Sequence, residues 1–255
     1  MTSGTTSFLA CACILGGASL GMIVGRALPA HHLSTESKDA VKLGLTLITT
    51  LTALVLGLLI ATAKGTYDTQ NSAVKELSAE IILLDRTLAL YGSETMEARQ
   101  LLRRAGTLTL QRLWPNDGAE PANLTPGEAR AEMEDFYNRV GALSPETADV
   151  RRAAIKAHAL DITEDLGRAR LRLFAQRGSS VPLPFLAVLV AWLVVLFAGY
   201  ALIAPRNMTV VVGLIVCVLS ASAALFLILE LDSPLDGILK IPSAPLSDAL
   251  SRVGE

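Results

Sequence analysis

Residues 43–63 read LGLTLITTLTALVLGLLIATA, a stretch without Asp, Glu, Lys or Arg. As a helix rising ~1.5 Å per residue, this stretch matches the ~30 Å hydrocarbon core of a bilayer. Lys42 and Lys64 stand just outside its two ends. Three further runs, 7–25, 183–204 and 208–229, are equally free of charge. The composition, 51% hydrophobic against 18% charged, therefore hides a sharp partition. Sixteen of the 22 Lys and Arg lie in residues 64–181, beside seventeen of the 24 Asp and Glu. That segment is charge-mixed and suited to water. The expected fold is an all-α membrane protein, its spans at 7–26, 41–63, 183–204 and 208–230, with a cytoplasmic helical bundle inserted between spans two and three. The divisions are a hairpin at 1–63, the helical domain at 64–181 with long stalk helices, a second hairpin at 182–231 and a cytoplasmic tail at 232–255.

The first run is read as a retained span and not as a cleaved signal. No Lys or Arg precedes Phe8, although Leu28-Pro29-Ala30 faintly resembles a cleavage site. Gly17, Gly21 and Gly25 form a G-x-x-x-G-x-x-x-G stripe that lets two membrane helices approach closely. Basic residues near the membrane number seven on the side of the 64–181 segment (Lys64, Lys75, Arg168, Arg170, Arg172, Arg177, Lys240). The other side has four, Arg26, Lys38, Lys42 and Arg206. Positive residues collect inside, so both termini and the inserted domain are expected in the cytoplasm of a bacterial inner (plasma) membrane.

Beyond span two, no proline appears until Pro115, and a seam runs through Leu56, Ile60, Ala63, Tyr67, Gln70, Val74, Leu77, Ile81, Leu84, Leu88 and Tyr91. Its steps of four and three suit packed helices. One unbroken helix is expected from span two to Gly92, which supplies the stop. A helix over 95–113 carries Leu101, Leu102, Ala105 and Leu108 on one side. Thr125-Pro126-Gly127-Glu128 is a capping box opening a helix that carries Ala129, Met133, Phe136 and Val140. Ser144-Pro145 starts another, with a seam at Ile155, Ala159, Ile162, Leu166, Ala169 and Leu173 that should pair with the 67–91 seam.

No P-loop, G-x-S-x-G, H-E-x-x-H or Cys-x-x-Cys occurs, so no enzyme, cofactor or metal is expected. The net charge of −2 gives no hint of a nucleic-acid partner. Cys11, Cys13 and Cys217 read as small buried hydrophobes within spans. His31 and His32 with Glu36 read as a loop, and Glu230, Asp232 and Asp236 as a solvated helix end in preference to a Ca²⁺ site. Asp85-Arg86 reads as bundle charges that form salt bridges. Span two is the most suggestive element. Lys42, Thr46, Thr49, Thr50, Ala53, Gly57, Ala61 and Lys64 fall on or near one helical face. Hydroxyls inside and positive charge at both mouths suit an anion pathway in an oligomer. Lys42, Thr46, Thr49, Thr50 and Lys64 are the candidate pore-lining residues. The competing reading packs this face on the glycine stripe of span one, with the lysines reaching the interfaces.

Several stretches carry a resemblance. His31-His32-Leu33-Ser34-Thr35-Glu36-Ser37-Lys38-Asp39 with Val41-Lys42-Leu43-Gly44 is similar to the signature of the bacterial bestrophin-like family. So are Leu54 to Ile60, Ala63-Lys64, Leu84-Asp85-Arg86-Thr87-Leu88 and Tyr91-Gly92. Near the C-terminus the likeness returns at Glu230-Leu231-Asp232, Pro234, Asp236-Gly237, Ser243-Ala244-Pro245-Leu246 and Asp248-Ala249-Leu250. Leu235 stands where the pattern has phenylalanine. The resemblance implies four spans, a cytoplasmic helical region and distant kinship with bestrophins, which are pentameric anion channels. Bestrophin pores narrow at bulky apolar and aromatic rings on the second span, whereas residues 43–63 contain no aromatic. The expected function is an oligomeric, anion-conducting membrane channel with span two lining the pore. Its partners are the lipid bilayer, further copies of itself and an inorganic anion. The alternative is a membrane-anchored scaffold or sensor whose helical bundle binds a protein.

Overall fold

A computed structural model describes residues 3–29, 34–115, 126–143, 149–175, 182–205, 207–235 and 237–254, without the side chains of 3, 126–133 and 183. The described elements are helical. They are α1 (Ser3–Ala27), α2 (Thr35–Tyr91), a 3₁₀ turn (Ser93–Thr95), α3 (Met96–Leu113), α4 (Pro126–Gly141), α5 (Val150–Ala175), α6 (Leu183–Ile203), α7 (Met208–Leu231) and α8 (Ala244–Arg252). Four of them, α1, α2, α6 and α7, are long and apolar enough to cross a membrane. The chain divides into two units. Residues 1–67 with 179–239 form the first, and residues 68–178 with 240–255 the second.

The 57 residues of α2 form one unbroken helix, as the missing prolines predict. Ser34 opens it by accepting the Ser37 N–H on its side-chain oxygen at 3.2 Å, which satisfies one orphan donor of the first turn. Gly92 closes it with φ +135°, a conformation that side chains rarely tolerate.

In the first unit, Ile14, Leu59, Ala63, Leu189, Val218, Leu225 and Ile228 share one core. The glycine stripe does bring two helices together, but the partner is α6. A Cβ on Gly17 would meet Val194, one on Gly21 would collide with the Ala198 carbonyl, and one on Gly25 with that of Leu202. The competing reading, in which this stripe seals the threonine face of span two, is therefore corrected. A small-residue stripe encodes how closely a helix can approach, not which helix approaches. Cys13 and Cys217 are exposed and Cys11 is half-buried, so they do not serve as buried packing residues within the chain. Asn207 caps α7 by accepting the Val210 N–H at 2.9 Å.

In the second unit, the seams of α2 and α5 are buried: Val74, Leu77, Ile81, Leu84 and Leu88 on one, Ala159, Ile162, Leu166, Ala169 and Leu173 on the other. They face one another and run antiparallel. Leu77, Ile81 and Leu166 line a common cavity, and the Arg152 guanidinium sits 5.6 Å from the Tyr91 ring centre. The buried face of α3 is Ala98, Leu102, Ala105, Gly106, Thr109 and Leu113. Leu101 and Leu108 are only partly buried. The face is turned because α8 lies over it: Gly106 leaves room for the Leu250 side chain. The Trp114 indole N–H donates to the Ile241 carbonyl at 2.8 Å, fixing the chain that leads into α8. On α4, Phe136 and Val140 are buried as expected. Thr125 and Ser144-Pro145 lie outside the described residues, as do the side chains of Ala129 and Met133.

Candidate pore-lining face of the second span

Within the first unit α2 has three sides, a consequence of 3.6 residues per turn. One narrow stripe, Leu45, Thr52, Leu59 and Ala63, is buried. Leu45 docks where Gly199 of α6 has no side chain. A second stripe, Leu43, Leu47, Leu51, Leu54 and Leu58, is exposed and purely apolar, as a surface facing lipid or a neighbouring subunit should be. The third stripe holds the candidate residues. Lys42, Thr46, Thr49, Thr50 and Lys64 are all exposed, as are Ala53, Gly57 and Ala61 between them. Of the four candidate spans, α2 is the least buried.

Gly57 sharpens this picture. A Cβ there would meet nothing in the chain, yet glycine in a helix interior costs about 1 kcal/mol relative to alanine. Packing within the chain does not explain its presence.

Each threonine hydroxyl on this face turns back to its own helix. Thr46 donates to the Lys42 carbonyl at 2.8 Å, Thr49 to Leu45 at 2.8 Å and Thr50 to Thr46 at 3.0 Å. The arrangement satisfies the hydroxyls in an apolar setting. Rotation of one hydroxyl toward a passing anion would give up one such bond, about 0.5–1.5 kcal/mol net. The lysines differ from one another. Lys42 pairs with Asp39 at 3.4 Å, with 58% and 60% of the side chains exposed. An exposed pair of this kind is worth little, but it reduces the positive charge at that end. Lys64 lies 5.2 Å from the Tyr67 ring centre. Sequence reading missed Asp39 as a partner, though its position one turn before Lys42 was the available signal.

The C-terminal acidic stretch is not a solvated helix end. Glu230 is 1% exposed and Asp232 6%. The Glu230 carboxylate accepts the backbone N–H groups of Ile238 and Leu239, so it ties the chain after α7 into a closed turn. Gly237, at φ +135°, leaves room for that carboxylate. Asp236, His31 and His32 lie outside the described residues. Asp85 forms the expected salt bridge, with Arg99 of α3.

The chain matches the family model for the bestrophin-like domain over residues 12–246. No curated protein matches it. Among solved structures it is similar to a bacterial bestrophin homologue from Klebsiella pneumoniae. An isoleucine-to-threonine variant of that protein gives a TM-score of 0.72 at 13% identity, covering 96% of this chain and 99% of the other. A second structure, phased on zinc, gives 0.67 at 13% identity over 94% and 95%. A tryptophan-to-alanine variant gives 0.69 at 14% identity over 99% and 96%. Identity this low carries the fold alone, whereas the family match spans most of the sequence. With its four helices of membrane-spanning length, the chain is an integral membrane protein and belongs to the bestrophin-like family.

Proposed function

We propose that the protein is the subunit of an oligomeric, anion-conducting channel whose pore is lined by the third stripe of α2. The observation that carries this reading is that Lys42, Thr46, Thr49, Thr50 and Lys64 face away from the rest of their own chain. The glycine stripe that was the alternative cover for them is occupied by α6. In a ring of subunits the hydroxyls line the membrane-depth path, and the lysines raise the local anion concentration at its mouths. Gly57 gives the helices a place to approach the axis closely. The absence of aromatic side chains from residues 43–63 makes this path differ from the narrow aromatic rings of bestrophin pores. The excess of basic residues beside the second unit supports a cytoplasmic location for it and for both termini, in a bacterial plasma membrane.

The test is chemical access. In a background with Cys11, Cys13 and Cys217 replaced by serine, Thr50→Cys should react with a charged, membrane-impermeant thiol reagent and lose most of its current. Leu54→Cys, on the apolar stripe, should not react. Equal protection of both cysteines in a conducting oligomer would reject the assignment of the lining face.

A further inference from the structure

The surface of the second unit holds a pocket of about 200 Å³ lined by three separate pieces of chain. Asp85 and Arg86 come from α2, Arg99 from α3, and Arg252 with Val253 from the end of α8. Two stretches remote in sequence, 82–89 and 249–253, thus meet around one space. At roughly 30 Å³ per water molecule, the cavity has room for several waters or for one phosphate-sized group.

Its charge is unbalanced. Arg99 donates through Nε to Asp85 Oδ1 at 2.7 Å and through Nη2 to Oδ2 at 2.9 Å. Both side chains are nearly buried, at 11% and 7% exposure. This bidentate pair is neutral and rigid, and it uses only two of the five N–H groups of Arg99. Asp85 is the one carboxylate lining the cavity among the described residues. Arg86 and Arg252 also line it; both are exposed at its rim, and they make no hydrogen bond or ion pair among the described residues. Two guanidinium groups therefore flank the same space without a carboxylate partner among the described residues. Ile82 and Val253 supply apolar wall. Planar guanidinium forks match the oxygens of phosphate and carboxylate groups.

We propose that this cavity is a binding site for a small oxyanion of the phosphate class, free or carried on a small metabolite, gripped by Arg86 and Arg252. The Asp85–Arg99 pair forms its fixed floor and directs the remaining Arg99 N–H groups toward the ligand. The site is separate from the α2 lining face and does not depend on ion conduction.

Calorimetric titration of the purified full-length protein with inorganic phosphate, at constant ionic strength set by chloride, tests the assignment. Saturable binding of about one phosphate per chain is expected. Arg86→Gln and Arg252→Gln should each weaken it at least tenfold, and Arg168→Gln, on an exposed face of α5, should leave it unchanged. A second measurement needs no variant: phosphate should protect Arg86 and Arg252 of the wild-type protein from phenylglyoxal, read by peptide mass spectrometry, without protecting Arg168. Glycerol 3-phosphate and phosphatidic acid in mixed micelles separate a soluble ligand from a lipid headgroup. Binding of the first alone assigns a metabolite, and binding of phosphatidic acid alone overturns the soluble assignment. Absence of saturable phosphate binding, or equal protection of all three arginines, overturns the site.

Discussion

Asp85 and Arg99 show what a single pair does for the second unit. The Arg99 guanidinium is held above its ordinary pKa first by its hydrogen bonds to Asp85, against the opposing effect of burial. Asp85→Ala leaves Arg99 buried without its partner, and loss of about 3–5 kcal/mol of stability is expected in chemical denaturation. Glu80 behaves differently. Burial raises its pKa, and Glu76 and Asp165 raise it further, while Arg172 lowers it. A carboxyl with a raised folded-state pKa adds stability that is complete below its unfolded pKa and is lost as pH rises through the folded one. Denaturation midpoints should therefore fall as pH rises above the ordinary carboxylate range, and Glu80→Gln should flatten that dependence. At this scale the sequence exposed one partner of each interaction and hid the other. Asp85 stood out inside an apolar seam, but Arg99 lies on a different helix and no spacing rule connects them. Glu230 was misread for the same reason: its partners are backbone N–H groups eight and nine residues away, and a carboxylate followed by prolines looks like a solvated end.

At the scale of elements, the α1–α6 contact depends on the absence of side chains. Gly21→Leu should push α1 from α6, because the added atoms collide with the Ala198 backbone, which cannot swing aside. Loss of folded protein in detergent, followed by size-exclusion chromatography, is the expected result. Gly57→Ala meets open space in the chain, and the monomer's fold should tolerate it. Leu84→Ala and Leu166→Ala each remove a fully buried leucine and should cost about 2–5 kcal/mol in denaturation of the second unit. The length of α2 was legible because no proline interrupts the chain before Gly92 and the seam keeps one helical period to Tyr91. The rotation of α3 was not legible. Its leucines fit two faces by period alone, and the choice is made by α8, which is more than a hundred residues away in sequence.

For the whole molecule, the four charge-free runs and the charge-mixed middle segment were readable because a bilayer imposes length and apolarity on anything that crosses it. The joining of residues 240–255 to the second unit was not readable, since it rests on tertiary contacts such as Leu250 over Gly106 and Trp114 to Ile241. The candidate lining face was legible as a pattern, because threonines, small residues and flanking lysines recur at helical spacing. Whether that face was covered by its own chain required the structure. With the face uncovered, Lys64→Glu should shift selectivity from anions toward cations, and Thr50→Ala should change conductance with little change in stability. The most direct test is chloride flux from proteoliposomes containing the purified protein, with anion and cation gradients imposed separately across a range of pH, Ca²⁺ and voltage. An anion channel of this kind gives chloride efflux from an oligomer, reduced by Lys64→Glu. A folded oligomer that passes no ion under any of these conditions would contradict the channel assignment and return the protein to the role of a membrane-anchored scaffold.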